Sequence, residues 1–257
     1  MAACPGDTAS SSVLRRKIAL ALPPLAAAQR RLDQHPDPAA DWIAFLRGLY
    51  GSIRASVPLL ETARDRARDL SPADPLAAGL VDYLRRHTEE ERGHDEWLLQ
   101  DLQSVGVDST ELLSRPPSGA VAALIGAQYY WVLHYHPVCI LGYLMVIEGN
   151  PPNRQGLLDL QGRSGLPASA FRTMLEHADL DVDHAAELAD LLDRLPLSPN
   201  HNEALGLSAI STVAGLSRVL NEVGDRLAAT DSRDWARFSA QETHLDAHRA
   251  HRGGHQG

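Results

Sequence analysis

Residues 171–195 read FRTMLEHADLDVDHAAELADLLDRL, and the fold turns on how this stretch is taken. Phe171, Met174, Leu188, Leu191 and Leu195 recur at helical spacing and mark an apolar stripe. In the middle of it stand His177, Asp181 and His184, whose spacing of four and three residues puts them on the face that should be buried. The stretch 75–105 repeats the pattern: Leu76, Leu80, Leu84, Leu98 and Leu102 frame His87, Glu91 and His94. In 117–148 the stripe of Val138, Leu141, Leu144 and Met145 ends on Glu148.

An unpaired carboxylate in an apolar interior costs several kcal/mol. Three separate helices place one there, and bound cations would resolve all three penalties together. Imidazole with carboxylate suits iron, manganese or zinc, and the lack of cysteine among these residues argues against a structural zinc knot. Facing helices of a bundle build two-metal carboxylate sites from Glu-x-x-His pairs and single glutamates. Glu91-Arg92-Gly93-His94 is such a pair. Glu91, Glu148 and Asp181 bring three negative charges and the histidines none, so two divalent ions leave a small positive residue, suited to an anionic substrate or reduced oxygen. The bland alternatives are a salt-bridged surface face for 177–184 and a solvent-facing helix end for Glu148.

The rest of the chain is also helical. Ala, Leu and Arg dominate, alternating β-branched runs are missing, and Pro, Gly and Asp punctuate. Helices are expected near 11–22, 24–34, 38–56, 58–70, 75–105, 117–148, 153–162, 167–194 and 199–228, with a short one near 231–242. Pro58 and Pro75 fit helix starts, and Gly106, Gly149 and Gly165 fit stops. This predicts an all-α bundle in one domain, 1–242, followed by a flexible His-rich tail, 243–257.

Composition narrows the function. Of the 257 residues, 44% are hydrophobic and 22% charged, a globular balance that excludes a disordered or collagen-like chain. A net charge of −9 opposes binding to nucleic acid. The two cysteines, Cys4 and Cys139, lie too far apart in sequence to suggest a disulfide framework, and the N-terminus lacks a secretory pattern, so a cytoplasmic location is expected. The apolar run from Ala120 to Ile147 is interrupted by Gln128, His134, His136 and Pro137, which reads as a buried helix and not a membrane span.

The ordered set of Glu91, His94, Glu148, His177, Asp181 and His184 resembles the haem-oxygenase-like di-iron oxidases and oxygenases, also described as iron-containing redox enzymes. The resemblance covers roughly residues 75–195. It implies a haem-oxygenase-like fold of about seven core helices, shared with thiaminase-II and PqqC proteins. It also implies that these six residues bind Fe(II), two ions per chain with manganese as an alternative, and use O2 as co-substrate. Reactions of the family include oxidative C–C cleavage, desaturation or decarboxylation, and N-oxygenation of small molecules, often in specialised metabolism. Some members carry a glutamate seven residues before the first histidine. Here that position is His87, which leaves it open as a ligand, a residue behind the ligands, or a plain core histidine.

Other residues have weaker claims. Counting back from Glu148 puts Tyr130 and His134 on its helical face, and with His136 they are candidates for a pocket wall, although His134 would lie roughly 20 Å up an unbroken helix. Pro137 is the expected kink. Cys139 is the one candidate nucleophile for a metal-independent, thiaminase-like enzyme, and its apolar setting argues against it. Arg172 and Arg218 are candidates to grip a substrate carboxylate, with a plain surface role as the alternative. His244, His248, His251 and His255 could bind metal loosely from the tail. The alternatives to a small-molecule oxygenase are that thiaminase-like enzyme and a non-catalytic metal-binding protein. A homodimer is compatible with a long bundle, though no face argues for one.

Overall fold

The computed structural model describes residues 9–253, with side chains described for 9–230; the expected tail, 243–257, and its four histidines fall outside the latter range. Among the described residues eleven α-helices follow one another: α1 Ser10–Ala21, α2 Pro23–Asp33, α3 Pro38–Leu70, α4 Pro75–Glu90, α5 His94–Ser104, α6 Ser109–Ser114, α7 Gly119–His134, α8 Ile140–Ile147, α9 Arg154–Ser164, α10 Arg172–Arg194 and α11 Pro199–Gly253. Short 3-10 turns at Pro137–Cys139 and Ala168–Phe171 lead into α8 and α10. No strand occurs among the described residues.

Local chemistry sets most of the helix starts. Asp37 accepts from the backbone N–H groups of Ala39 and Ala40, and Asp74 does the same for Leu76 and Ala77. Each is followed by a proline at the first helical position, where a missing N–H is harmless.

Four boundaries depart from the expectation. Helices expected at 38–56 and 58–70 are one helix, α3, with Pro58 inside it. An internal proline costs about 3 kcal/mol. Burial of Leu46, Leu59, Leu60, Ala63 and Ala67, all at 2% exposure or less, outweighs it. The helix expected over 75–105 breaks at Glu91–Gly93, and that over 117–148 breaks between His134 and Ile140. At the C-terminal end, α11 runs on without the expected interruption near 229–230.

The apolar interior forms two clusters. The larger gathers Leu80 and Leu84 of α4, Leu141 and Leu144 of α8, Leu188 and Leu192 of α10, and Leu205 and Val213 of α11. The smaller gathers Trp42 and Leu46 of α3, Leu98 and Leu102 of α5, Phe171, and Ala178 of α10. Along the chain, α4 belongs to the first cluster and α5 to the second, while α10 passes from the second to the first. The polar residues of the interrupted stripes occupy the seam. The stretch Pro199–Thr230 of α11 is long and apolar enough to cross a membrane, but 56% of its apolar window is buried inside this bundle.

Candidate metal centre

The break between α4 and α5 is built into the sequence. Glu91 caps the end of α4, and Gly93 adopts φ 88°, a left-handed conformation that costs glycine little and other residues much. His94 opens α5. Glu91 and His94 therefore face each other across a turn, with Glu91 Oε2 3.3 Å from His94 Nδ1. Arg92 points the other way and ties the turn to α3, donating to Glu61 at 2.8 Å and to Glu89 at 3.1 Å.

Glu148 caps the C-terminus of α8, and α10 supplies His177, Asp181 and His184. All six expected ligands converge on the seam. Five are buried and His177 is half-buried. Three sets of donor atoms each gather within 4.8 Å: Glu91, His94 and His177; His87, Glu91 and Glu148; and His87, Glu90 and His184. Asp181 stands beside them, its Oδ1 3.8 Å from His184 Nδ1.

His87 belongs to this cluster. Its Nε2 lies 3.1 Å from Glu148 Oε1, its ring stacks on Tyr83, and its edge meets the His184 ring at 4.9 Å. Glu90 was missed by the sequence reading. Its Oε2 lies 3.6 Å from His184 Nε2 and 3.7 Å from His87 Nδ1. Its place in the run Glu89-Glu90-Glu91, which looks like a solvated face, hid it; the position three residues after His87 was the available signal. Counting Glu90 makes four carboxylates, the charge that two divalent cations balance.

The hydrogen bonding fits a cation. His94 Nδ1, Glu148 Oε2, Asp181 Oδ1 and His184 Nδ1 are buried without a hydrogen-bond partner. Natural interiors keep few such atoms, and here four converge on one place. His177 is oriented from behind: the Thr173 carbonyl can only accept, so His177 Nδ1 donates to it at 2.7 Å, leaving Nε2 with its lone pair for a ligand. Thr173 is itself held by buried Asp101, which accepts from its backbone N–H at 2.8 Å.

Protonation tells the same story. Burial, with the negative charges of Glu148 and Glu91, pushes Asp181 up to about 8. Burial alone would lower His87, but Glu148, Glu91 and Glu90 more than offset this and push it up to about 9. Burial would raise Glu91, but the adjacent His94 ring, with the charges of His87 and His177, holds it below its ordinary range. Without a cation the cluster has to keep protons to stay buried. Oxygen and imidazole donors of this kind suit iron or manganese.

The other candidates lie elsewhere. Tyr130 is 62% exposed and its ring tilts against His134, which is also exposed, so neither is a pocket residue. Counting back from Glu148 failed because α7 ends at His134 and the helical phase is lost before α8. His136 is buried but committed. Its Nδ1 accepts from the Val138 N–H at 3.0 Å, so Nε2 donates to Asp74 at 3.0 Å, joining the 3-10 turn to the start of α4. Arg218 is exposed, and exposed Arg172 lies over Trp97, 5.0 Å from its ring centroid. Burial pushes the Cys139 thiol up to about 12, which leaves it inert as a nucleophile.

Residues 75–213 match the model of a family described as iron-containing redox enzyme, and the chain belongs to that family. No curated protein matches it. Solved structures that share its fold include the following three. A domain of unknown function with a heme oxygenase-like fold from Shewanella denitrificans has a TM-score of 0.69 at 19% identity, over 86% of this chain and 92% of that one. A TenA homologue from Pseudomonas syringae pv. tomato has a TM-score of 0.63 at 12% identity, over 88% and 99%. A CADD-like protein of unknown function from Nostoc punctiforme has a TM-score of 0.59 at 18% identity, over 78% and 87%. The fold is haem-oxygenase-like and all-helical.

Proposed function

We propose that this iron-containing redox enzyme is a non-haem, O2-dependent oxidase or oxygenase of a small molecule, with two metal ions bound at the seam between its apolar clusters. The observation that carries the reading is the convergence of four unpartnered buried donor atoms from α5, α8 and α10. Glu91, His94 and His177 would hold one ion; Glu148, Asp181 and His184, with His87 and Glu90 in reach, would hold the other. When bound, iron supplies the electrons and open coordination positions that O2 activation needs.

The chain's own residues do the rest. Tyr83, Leu84, Tyr143 and Leu144 are buried beside the ligands and keep water out. Glu91 and His94, on a turn pinned by Arg92, stay in register with α10. His87 holds a proton between its Nε2 and Glu148 Oε1, where it can pass to a reacting oxygen or nitrogen. Oxidative cleavage, desaturation with decarboxylation, or N-oxygenation are the reactions that this machinery serves. The working location is the cytoplasm, and the partners are a small-molecule substrate and at most a second copy of the chain.

The test is anaerobic Fe(II) loading followed by metal counting and optical spectra on exposure to O2. Two irons per chain and an O2-dependent transient support the reading. No uptake, with His177→Ala indistinguishable from wild type, would sink it and favour a metal-independent enzyme, the second reading that the TenA-like fold supports. Uptake with no O2 reaction under any candidate substrate points to a non-catalytic metal-binding protein.

A further inference from the structure

A second concave site lies apart from the metal cluster. It is a cleft of about 720 Å³ between α3, the segment 107–118, α7 and α11, and none of its lining residues is a candidate ligand. That size falls within the range of small-molecule pockets. Its walls are largely aliphatic, with Val107, Leu112, Val121, Val219, Val223 and Leu227 among them.

One helix face shapes it. Arg47, Gly48, Gly51 and Arg54 of α3 all line the cleft, at spacings that keep them on one side of the helix. The glycines let neighbouring helices close in. A Cβ at Gly48 would stand 2.5 Å from Val223 Cγ2, and one at Gly51 would stand 3.0 Å from Val121 Cγ1. The two arginines sit about 10 Å apart along the axis, close enough for their long side chains to converge on one head group.

The charges around the cleft are unevenly matched. Arg115 pairs with Glu111, Arg226 lies 3.6 Å from Glu222, and Asp108 is engaged as the cap of α6. Arg47 and Arg54 make no hydrogen bond or ion pair among the described residues. In a chain of net charge −9 the cleft lining thus carries four arginines against three carboxylates, and Arg47 and Arg54 are the two that have no charged partner among the described residues. We propose that this cleft binds a small organic anion with an apolar body, whose acid head is held by Arg47 and Arg54. Guanidinium groups match planar carboxylate and phosphate oxygens, and the aliphatic walls take the body.

The probe is anilinonaphthalene sulfonate, an amphipathic anion that fluoresces in apolar surroundings, titrated into the full-length chain. Phenylnaphthylamine serves as a neutral probe of similar shape. The expected result is one saturable site for the anion, displaced by decanoate or decyl phosphate, with weaker binding of the neutral probe. Whichever competitor displaces at lower concentration identifies the head group as carboxylate or phosphate. Arg47→Gln with Arg54→Gln should weaken anion binding by about tenfold or more and leave the neutral probe unchanged, while Arg-to-Lys replacements retain part of the affinity. Both arginines are exposed, and unchanged thermal melting will show that the variants fold. Equal binding of the two probes, or an unaltered anion affinity in the double variant, overturns the proposal. The readout is independent of metal, so either outcome leaves the reading of the metal cluster standing.

Discussion

Two groups of buried polar side chains in this molecule are treated differently. Between α7, α8 and α11, Gln128 donates to Thr212 Oγ1 at 3.2 Å, and Ser208 Oγ lies 3.1 Å from Gln128 Oε1 and 2.8 Å from the Cys139 carbonyl oxygen. Thr212 donates to the Ser208 carbonyl at 2.8 Å, and none of these polar side-chain atoms lacks a partner. At the seam, by contrast, four buried donor atoms of the ligand cluster have none. The first group is neutral and closed, which is how a helix bundle pins its packing. The second is charged and open, which is stable only with protons or cations. Buried polarity is therefore no sign of function by itself, and neither is a lone unmet atom such as Asp41 Oδ1 or Ser52 Oγ; several unmet ligand atoms meeting at one place are.

The largest expected effect separates the two regions outright. His177→Ala or His94→Ala should lower iron affinity by roughly a hundredfold or more, whereas Gln128→Leu should leave iron content unchanged. Metal analysis after gel filtration checks both; iron lost equally from Gln128→Leu would erase the distinction.

Next comes iron itself as a stabiliser. Loading at a thousandfold excess over Kd should add about 4 kcal/mol and raise Tm by roughly 10 °C, read by calorimetry under anaerobic conditions. In Asp181→Asn that gain should shrink.

The metal-free protein should also respond to pH. The folded pKa of Asp181, about 8, lies above the unfolded value near 3.9, so the folded state binds more protons in between and stability falls as pH rises through that window. His87, raised to about 9 from a reference of 6.5, contributes stability that is present at low pH and lost as pH rises through 9. Both act in the same direction. Urea unfolding near pH 5 and near pH 8.5 should show the decline, with Asp181→Asn flattening the lower part. Iron affinity should rise over the same range, because the ligands must shed those protons to bind.

A smaller effect belongs to the closed network. Gln128→Leu should cost about 0.5–1.5 kcal/mol, since it removes the bonds to Thr212 and Ser208 while both hydroxyls keep a backbone carbonyl partner. Smallest of all, Tyr130→Ala and His134→Ala should change stability by less than about 0.5 kcal/mol and leave iron uptake intact, because both are exposed.

Much of the candidate site was legible because helical periodicity is a local property. Wherever a helix stays in phase, a polar residue on its apolar stripe is visible by counting, and His177, Asp181 and His184 on unbroken α10 were found this way. Counting failed where phase was lost. Tyr130 and His134 were read as facing the site across a break that a Tyr135 backbone at φ −125°, ψ −86° imposes. Glu90 was overlooked because partial exposure and charged neighbours make it look like surface. Pro58 was read as a helix start because the tertiary packing that carries α3 through it is not a local signal.

By itself the sequence determined the all-helical class, the three interrupted stripes and the residues that interrupt them, since spacing, capping and composition act over a few turns of helix. Only the tertiary structure decided that the interruptions meet at one seam between two apolar clusters, that His87 and Glu90 join them, and that Gly93 turns the chain there. It also decided that Arg47 and Arg54 line a second cleft without an ion pair among the described residues. Those facts depend on how helices distant in sequence pack, and packing is settled by the shapes of all the faces together.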